Sequence, residues 1–295
     1  MNPLDLLADR QLVVVTGKGG VGKTTIAAVV GRALALAGRR VTVLECDPRE
    51  SLYQMLGVAP SGGERVDAGP RLAFRNLKPR AELDAVVRDR LPLEFLTRRV
   101  LASPVYQHFA DAAPGMKELA ILGHAYRLVG AASGRGPADC VVLDAPATGH
   151  GLTLLTAPAV VAQAIGAGPI GKMAEELRAW VEDPARCAVV VVTQAEDMPV
   201  AEALELGEAL RRRGGGEALL VANGLYPPLP AGTEPADPWL ALWIAERTGN
   251  ERELARLAAG WSGPRVALPL LALERGPALV EALRRRFEGG GEPWT

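Results

Sequence analysis

Residues Gly17 to Thr25 read GKGGVGKTT, set between the apolar run Gln11-Leu-Val-Val-Val-Thr16 and the run Ile26-Ala-Ala-Val-Val30. A β-branched apolar run before the glycines and a helix-compatible run after them predict strand, glycine loop, helix. Gly17, Gly22, Lys23 and Thr24 stand in the fixed places of G-x-x-x-x-G-K-[ST], the phosphate-binding pattern. Each residue type has a physical task there. Glycines let the backbone curl so that its N–H groups converge on an anion. The helix that begins near Lys23 adds unpaired N–H donors and the positive end of its dipole. Lys23 can reach the outer phosphates of a nucleotide, and the Thr24 hydroxyl can sit on Mg2+. Gly19, Gly20, Val21 and Thr25 complete the expected cradle.

Composition sets the outer bounds. A chain of 295 residues that is 48% apolar has material for a sizeable core, and a net charge of −1 argues for neither nucleic acid nor an anionic membrane as a general partner. The three cysteines, Cys46, Cys140 and Cys187, are scattered single residues, which predicts buried reduced thiols. The start MNPLDLLADRQ has no basic region followed by a long apolar core, so no signal peptide is read and a cytoplasmic location is expected.

Outward from the loop, the chain alternates strand and helix. A helix is predicted from Lys23 to about Ala37, and strands over Val41–Glu45, Leu72–Leu77, Cys140–Asp144, Val189–Thr193, Leu219–Ala222 and Arg265–Leu268. Further helices are predicted over Val200–Arg213, Trp239–Leu257 and Pro277–Phe287, and Gly57–Pro70 reads as a loop. The alternation predicts one α/β domain over residues 1–295, with a mostly parallel, doubly wound sheet. Residues 80–133 show helical periodicity instead (Leu83, Val86, Val87 and Leu91; then Leu119, Leu122, Tyr126 and Val129) and read as a helical insertion. Leu152–Gly171 carries no charge, but Pro158, Pro169, the glycines and Gln163 argue against a membrane span. The stretch is therefore read as two short apolar helices, part of it mobile or sheltered by a partner, within a candidate client or lid region over residues 152–183.

Two strands end in acids. Asp144 closes an apolar strand and suits a Mg2+ site reached through water, with Ala145–Gly151 as a segment that senses the γ-phosphate. Asp47 follows the second strand and can hold a water or Mg2+; equally it can serve as a turn or helix-capping residue before Pro48.

Four segments, GKGGVGKTT, Asp47-Pro-Arg-Glu-Ser-Leu52, Pro114-Gly-Met-Lys-Glu118 and Asp144-Ala-Pro-Ala-Thr-Gly-His150, give the chain a resemblance to a known family. Lys18 at the second loop position is similar to the deviant phosphate loop of the Min-type, Par-type, nitrogenase-iron-protein and arsenite-pump ATPases. The order of all four segments resembles the arsenite-pump and tail-anchored-protein-targeting ATPases over nearly the whole chain, as a short single-domain bacterial member. The resemblance implies a P-loop NTPase of the SIMIBI type, using ATP and Mg2+, that dimerises over its nucleotides and delivers or regulates a hydrophobic or membrane-protein client. It implies Lys18, Asp47 and Lys23 as catalytic residues, with Lys18 reaching a partner's nucleotide and Asp47 orienting the attacking water. It implies Thr24, Asp47 and Asp144 around the metal, and Asn223 and the segment at Pro269 against the base.

The chain also departs from the family pattern. Arg49 and Glu50 replace an Ala-His pair, Tyr53-Gln54 replace Ser-Asp, and the zinc-bridging C-x-x-C of the eukaryotic targeting factor is absent. Arsenite, which needs clustered thiolates, is not expected as a ligand. One alternative is a weakly catalytic nucleotide-binding subunit that pairs with a related ATPase. Another, a partition or cell-division ATPase, would need a basic nucleic-acid surface. The only dense basic clusters, Arg211–Arg213 and Arg284–Arg286, fall at helix ends where they cap favourably, so no nucleic acid is expected.

Overall fold

Strand β1 (Leu12–Thr16) is buried along its whole length and runs through the interior of the sheet. A strand covered on both faces must be apolar throughout, and Leu-Val-Val-Val meets that demand. The computed structural model describes residues 2–90, 93–104, 106–107, 113–132, 134–146, 150–166, 168–214, 216–229 and 238–291. The other described strands are β2 (Val41–Glu45), β3 (Val66–Asp67), β4 (Leu72–Asn76), β5 (Cys140–Asp144), β6 (Cys187–Thr193), β7 (Leu219–Leu225) and β8 (Arg265–Pro269). Their order across the sheet is β3-β4-β2-β5-β1-β6-β7-β8. Every pairing is parallel except β3 with β4. The fold is therefore α/β with a mostly parallel sheet.

Alternation along the strands builds a core on each face. Val13 and Val15 join one cluster with Ile26, Val29 and Val30 of α1 (Lys23–Leu36), Leu52 of α2 (Leu52–Leu56), and Val280, Leu283 and Phe287 near the C-terminus. Leu12 and Val14 join the other, with Leu119, Leu154, Leu177, Trp180, Val200 and Leu254. Successive side chains of a strand point to opposite faces, so one valine-rich run anchors both layers.

Between β4 and β5 the described elements are helices α3 (Pro79–Arg90), α4 (Glu94–Leu101) and α5 (Met116–Leu128). Next come α6 (His150–Ile165), α7 (Pro169–Glu182) and, between β6 and β7, α8 (Asp197–Arg213). Helix α9 (Pro238–Gly260) precedes β8, and α10 (Pro277–Glu288) packs back on α1. Among the described residues, no helix is long and apolar enough to cross a membrane.

Three local expectations are corrected. The stretch Gly57–Pro70, read as loop, contains β3, which pairs antiparallel through Val66 with Phe74 and Asp67 with Ala73. Two residues are too few to show a period of two in sequence. Helix α6 runs 16 residues straight through Pro158, and Leu154, Leu155, Val161 and Ala162 pack into the core, so tertiary burial outweighs the missing backbone donor. Strand β7 extends past Ala222 to Leu225 through an irregularity at Asn223 and Gly224 (φ 77°). A bulge of this kind re-aims side chains at a strand end.

Candidate functional site

The carboxyl ends of the inner parallel strands meet in one place. Glu45 pairs in register with Asp144, Val15 with Asp144, and Glu45 with Asn76. The chain winds outward from β1 to one side of the sheet and, after β5, crosses β1 to reach β6 on the other. Open α/β sheets present their ligand crevice at such a reversal.

Residues 17–22 form a tight loop there. Gly17 (φ 145°) lies so close to β6 that a Cβ would fall 2.1 Å from the Val192 carbonyl oxygen. Gly22 (φ 94°) precedes α1, and a Cβ on it would meet Asn223 Nδ2 at 2.3 Å. Gly151 is equally constrained, since a Cβ would fall 1.8 Å from Thr16 Oγ1. The β1 end, the start of α6 and the β7 bulge therefore close in on the loop.

Lys23 is buried, and its Nζ donates to the Lys18 carbonyl oxygen at 2.8 Å. Burial lowers its pKa from the ordinary 10.5, while the negative charges of Asp144 and Asp47 oppose that shift. Thr24 Oγ1 donates to Asp144 Oδ2 at 2.6 Å. The other carboxylate oxygen, Asp144 Oδ1, is buried without a hydrogen-bond partner. Burial pushes the Asp144 carboxyl up to about 7, with the Thr24 hydrogen bond and Lys23 pulling it down and Glu45 and Asp47 pushing it up. An orphaned buried carboxylate oxygen is costly unless something hydrogen-bonds or coordinates it. With Thr24 Oγ1 beside it, the donor set is hard oxygen, which suits Mg2+.

The remaining candidate residues fall around this centre. Lys18 turns away from the loop and pairs with Glu202 of α8 at 2.8 Å, the two side chains being 27% and 40% exposed. Thr25 Oγ1 lies on Met55 Sδ at 3.7 Å. Val21 is buried, and its carbonyl oxygen accepts from Asn223 Nδ2 at 2.9 Å, so Asn223 grips the loop. Pro269 ends β8 opposite Leu225, on the same rim as Asn223. Asp47 Oδ1 accepts from Arg49 N at 2.8 Å, the turn-capping use of this residue. In the segment after Asp144, residues 147–149 lie outside the described residues.

Sequence reasoning missed a second layer of residues. Glu45 is fully buried and accepts from Ser51 N (2.8 Å), Ser51 Oγ (2.8 Å), Leu52 N (3.0 Å) and Asn76 Nδ2 (3.2 Å). Asn76 Nδ2 also donates to the Asp47 carbonyl oxygen at 2.8 Å. The loop carrying Asp47 is thus held from below by a buried carboxylate and an amide. An acid ending a wholly apolar strand was the available signal, because a buried charge must find partners. Glu202 carried no such signal; it is one exposed acid among many. A cleft of about 520 Å3 opens beside the loop, lined by Lys18, Leu152, Pro199, Glu202 and Leu206 among others.

Comparison with known proteins supplies the last observation. Residues 10–167 match the family model described as anion-transporting ATPase. The ATPase BagA of Mycobacterium tuberculosis is 27% identical over 270 residues, covering 89% of this chain and 76% of that protein. A second protein of the same organism, Rv2184c, is 30% identical over an alignment of 338 positions, covering 97% of this chain and 78% of its own. An arsenical pump-driving ATPase of Escherichia coli is 28% identical over 268 positions, 84% of this chain but 44% of that longer protein.

Proposed function

This chain belongs to the anion-transporting ATPase family and is an ATPase, and we propose that it works as a Mg2+-dependent, nucleotide-driven dimeric switch acting on a hydrophobic or membrane-protein client. The observation that carries this reading is the buried constellation of Lys23, Thr24 and the half-satisfied Asp144 at the end of the phosphate loop. Thr24 and Asp144 would hold Mg2+, which when bound neutralises phosphate charge. Asp47 stands on the neighbouring loop as a further candidate around it.

The protein's own groups then divide the work. Loop N–H groups and the Lys23 ammonium, whose Lys18 carbonyl partner a phosphate oxygen can replace, stabilise charge on the transferring phosphoryl. The Asp47 carboxylate orients the attacking water, leaving the leaving phosphate to the loop. Lys18 adds positive charge to a nucleotide held by a second copy. Its bond to Glu202 is half-exposed and screened by solvent, worth about 1 kcal/mol, and so opposes that transfer only weakly. Asn223 and Pro269, on one rim beyond the loop, contact the base.

A pump-driving relative supports the idea of a membrane-protein partner for the output. Arsenite does not suit this chain. Cys46, Cys140 and Cys187 are buried single thiols, and burial raises Cys46 well above its ordinary pKa and Cys140 and Cys187 to about 12. Soft trivalent ions need clustered thiolates. Three unpaired thiols do suit a reducing cytoplasm.

The test is phosphate release by the purified protein, with light scattering, with and without Mg2+-ATP. Turnover accompanied by ATP-dependent dimerisation supports the self-sufficient switch. An inert monomer that binds ATP instead supports the second reading, a subunit that fires only with a related ATPase; the altered Arg49-Glu50 pair beside Asp47 is the observation that favours it.

A further inference from the structure

Glu50 replaces a histidine of the family pattern, and the structure gives it a definite use. Its carboxylate accepts from two consecutive backbone N–H groups, those of Ser61 and Gly62, the latter at 3.2 Å. Gly62 (φ 60°) and Gly63 (φ 98°) adopt left-handed backbone, which lets the loop turn tightly against that carboxylate. Ser61 Oγ in turn accepts from Asn76 N (2.9 Å) and Gly63 N (3.1 Å), so β4 holds the same loop from its other side.

Two adjacent residues of β4 carry the connection in opposite directions. Asn76 reaches back to the Asp47 carbonyl oxygen and Glu45. Arg75 donates from Nε to the Gly63 carbonyl oxygen (2.5 Å), and its guanidinium reaches Glu82 of α3 (3.0 Å) and His124 of α5 (3.2 Å). Glu82 is only 5% exposed and also meets His124 Nδ1 (2.7 Å) and Arg127 (3.6 Å). A continuous set of hydrogen bonds therefore runs from the Asp47 loop, through Glu50 and residues 61–63, to two helices outside the nucleotide site.

We propose that Glu50 is a positioning residue that ties the Asp47 loop to helices α3 and α5, so that a nucleotide-dependent change at the site is transmitted to the Glu82–His124 cluster. This rests on the reading of Asp47 as the group that orients water. None of Glu50's hydrogen bonds described above goes to residues 17–25, so its loss leaves ground-state nucleotide binding in place while loosening Asp47.

The test uses the full chain, with Glu50→Ala and the isosteric Glu50→Gln, whose carbonyl keeps one acceptor. Expected is a fall in kcat of about ten- to a hundredfold for Glu50→Ala, with KM within about twofold and Glu50→Gln intermediate. The second readout is histidine side-chain NMR, with the His124 signal assigned from His124→Gln. Mg2+-ADP and a non-hydrolysable ATP analogue should give different His124 shifts in the parent chain, and the difference should vanish in Glu50→Ala. A parent chain whose His124 ignores the nucleotide, or a Glu50→Ala chain that still reports it fully, overturns the proposal. If Glu50→Ala loses its circular-dichroism signature, Glu50→Gln carries both measurements. Asp47→Asn is run alongside: full turnover there defeats the water-orienting reading, whereas the His124 response judges the tether separately.

Discussion

The phosphate loop ends in two very different polar contacts. At its helical end, Thr24 bonds Asp144 in a buried setting where one carboxylate oxygen stands unsatisfied. At its strand end, Lys18 pairs with Glu202 in a half-exposed setting. The first sits in low dielectric, where each group removed or added is felt strongly. The second is screened by water and contributes little. The same nine-residue motif thus has a fixed half, pre-organised around Asp144, and a half held only by a weak ion pair, which the proposed switch would exchange for another charge.

The largest expected effect tests the fixed half. Lys23→Ala should lower kcat/KM by about a thousandfold, because it removes a buried cation aimed at the phosphates; a phosphate-release assay reads it, and a loss below tenfold would erase the distinction between the halves. Next, if the proposed switch is right and the Lys18 charge acts only in a closed dimer, Lys18→Ala should cost about a hundredfold in kcat with ATP affinity within about twofold. Equal losses in both parameters, measured by turnover and calorimetry, would mean that Lys18 belongs to the fixed half after all.

Glu82→Ala gives a stability effect away from the loop. It leaves Arg75, Arg127 and His124 around a depleted buried site, so about 3 kcal/mol should be lost at neutral pH, read by urea unfolding. Burial works against ionised Glu82, yet the His124 hydrogen bond and the charges of His124, Arg75 and Arg127 together hold its pKa below the ordinary 4.5. A depressed carboxylate stabilises the fold fully above its unfolded pKa and loses that contribution as pH falls through the folded value. The gap between parent and Glu82→Gln should therefore narrow as pH drops below about 4.5, and a constant gap would remove the charge explanation. The smallest effect is reserved for Glu202→Gln. Stability should shift by under about 1 kcal/mol and turnover should rise by no more than about fivefold. A fall in turnover would show that Glu202 helps the reaction instead of merely parking Lys18.

Much of this was legible from residue order. The valine-rich strands, the glycine loop, Asp47 just past β2 and Asp144 at the end of β5 carry local signals, because burial on both faces demands unbroken apolar runs and anion binding demands glycine and lysine. Other features were not legible for identifiable reasons. Strand β3 is two residues long and shows no period. Asn223 could be named as a strand-end residue, but its grip on Val21 depends on a bulge that also brings Gly22 within Cβ distance of its amide. Glu45 stood two residues before Asp47 in plain view, but its bonds to Ser51 and Leu52 need the following loop to fold back on it, and its bond to Asn76 exists only because β4 lies next to β2.

The sequence by itself determined the α/β class and the chemistry of the loop, since both are written in apolar periodicity and residue types within a few positions along the chain. Only the tertiary structure decided which partners those groups meet: Glu202 for Lys18, Thr24 for Asp144, and the 61–63 loop for Glu50. These pairings join residues 11 to 184 positions apart, with the longest set by the sheet order that places β6 beside β1. Distance along the chain carries no local signal, so such pairings become readable only once the strands are side by side.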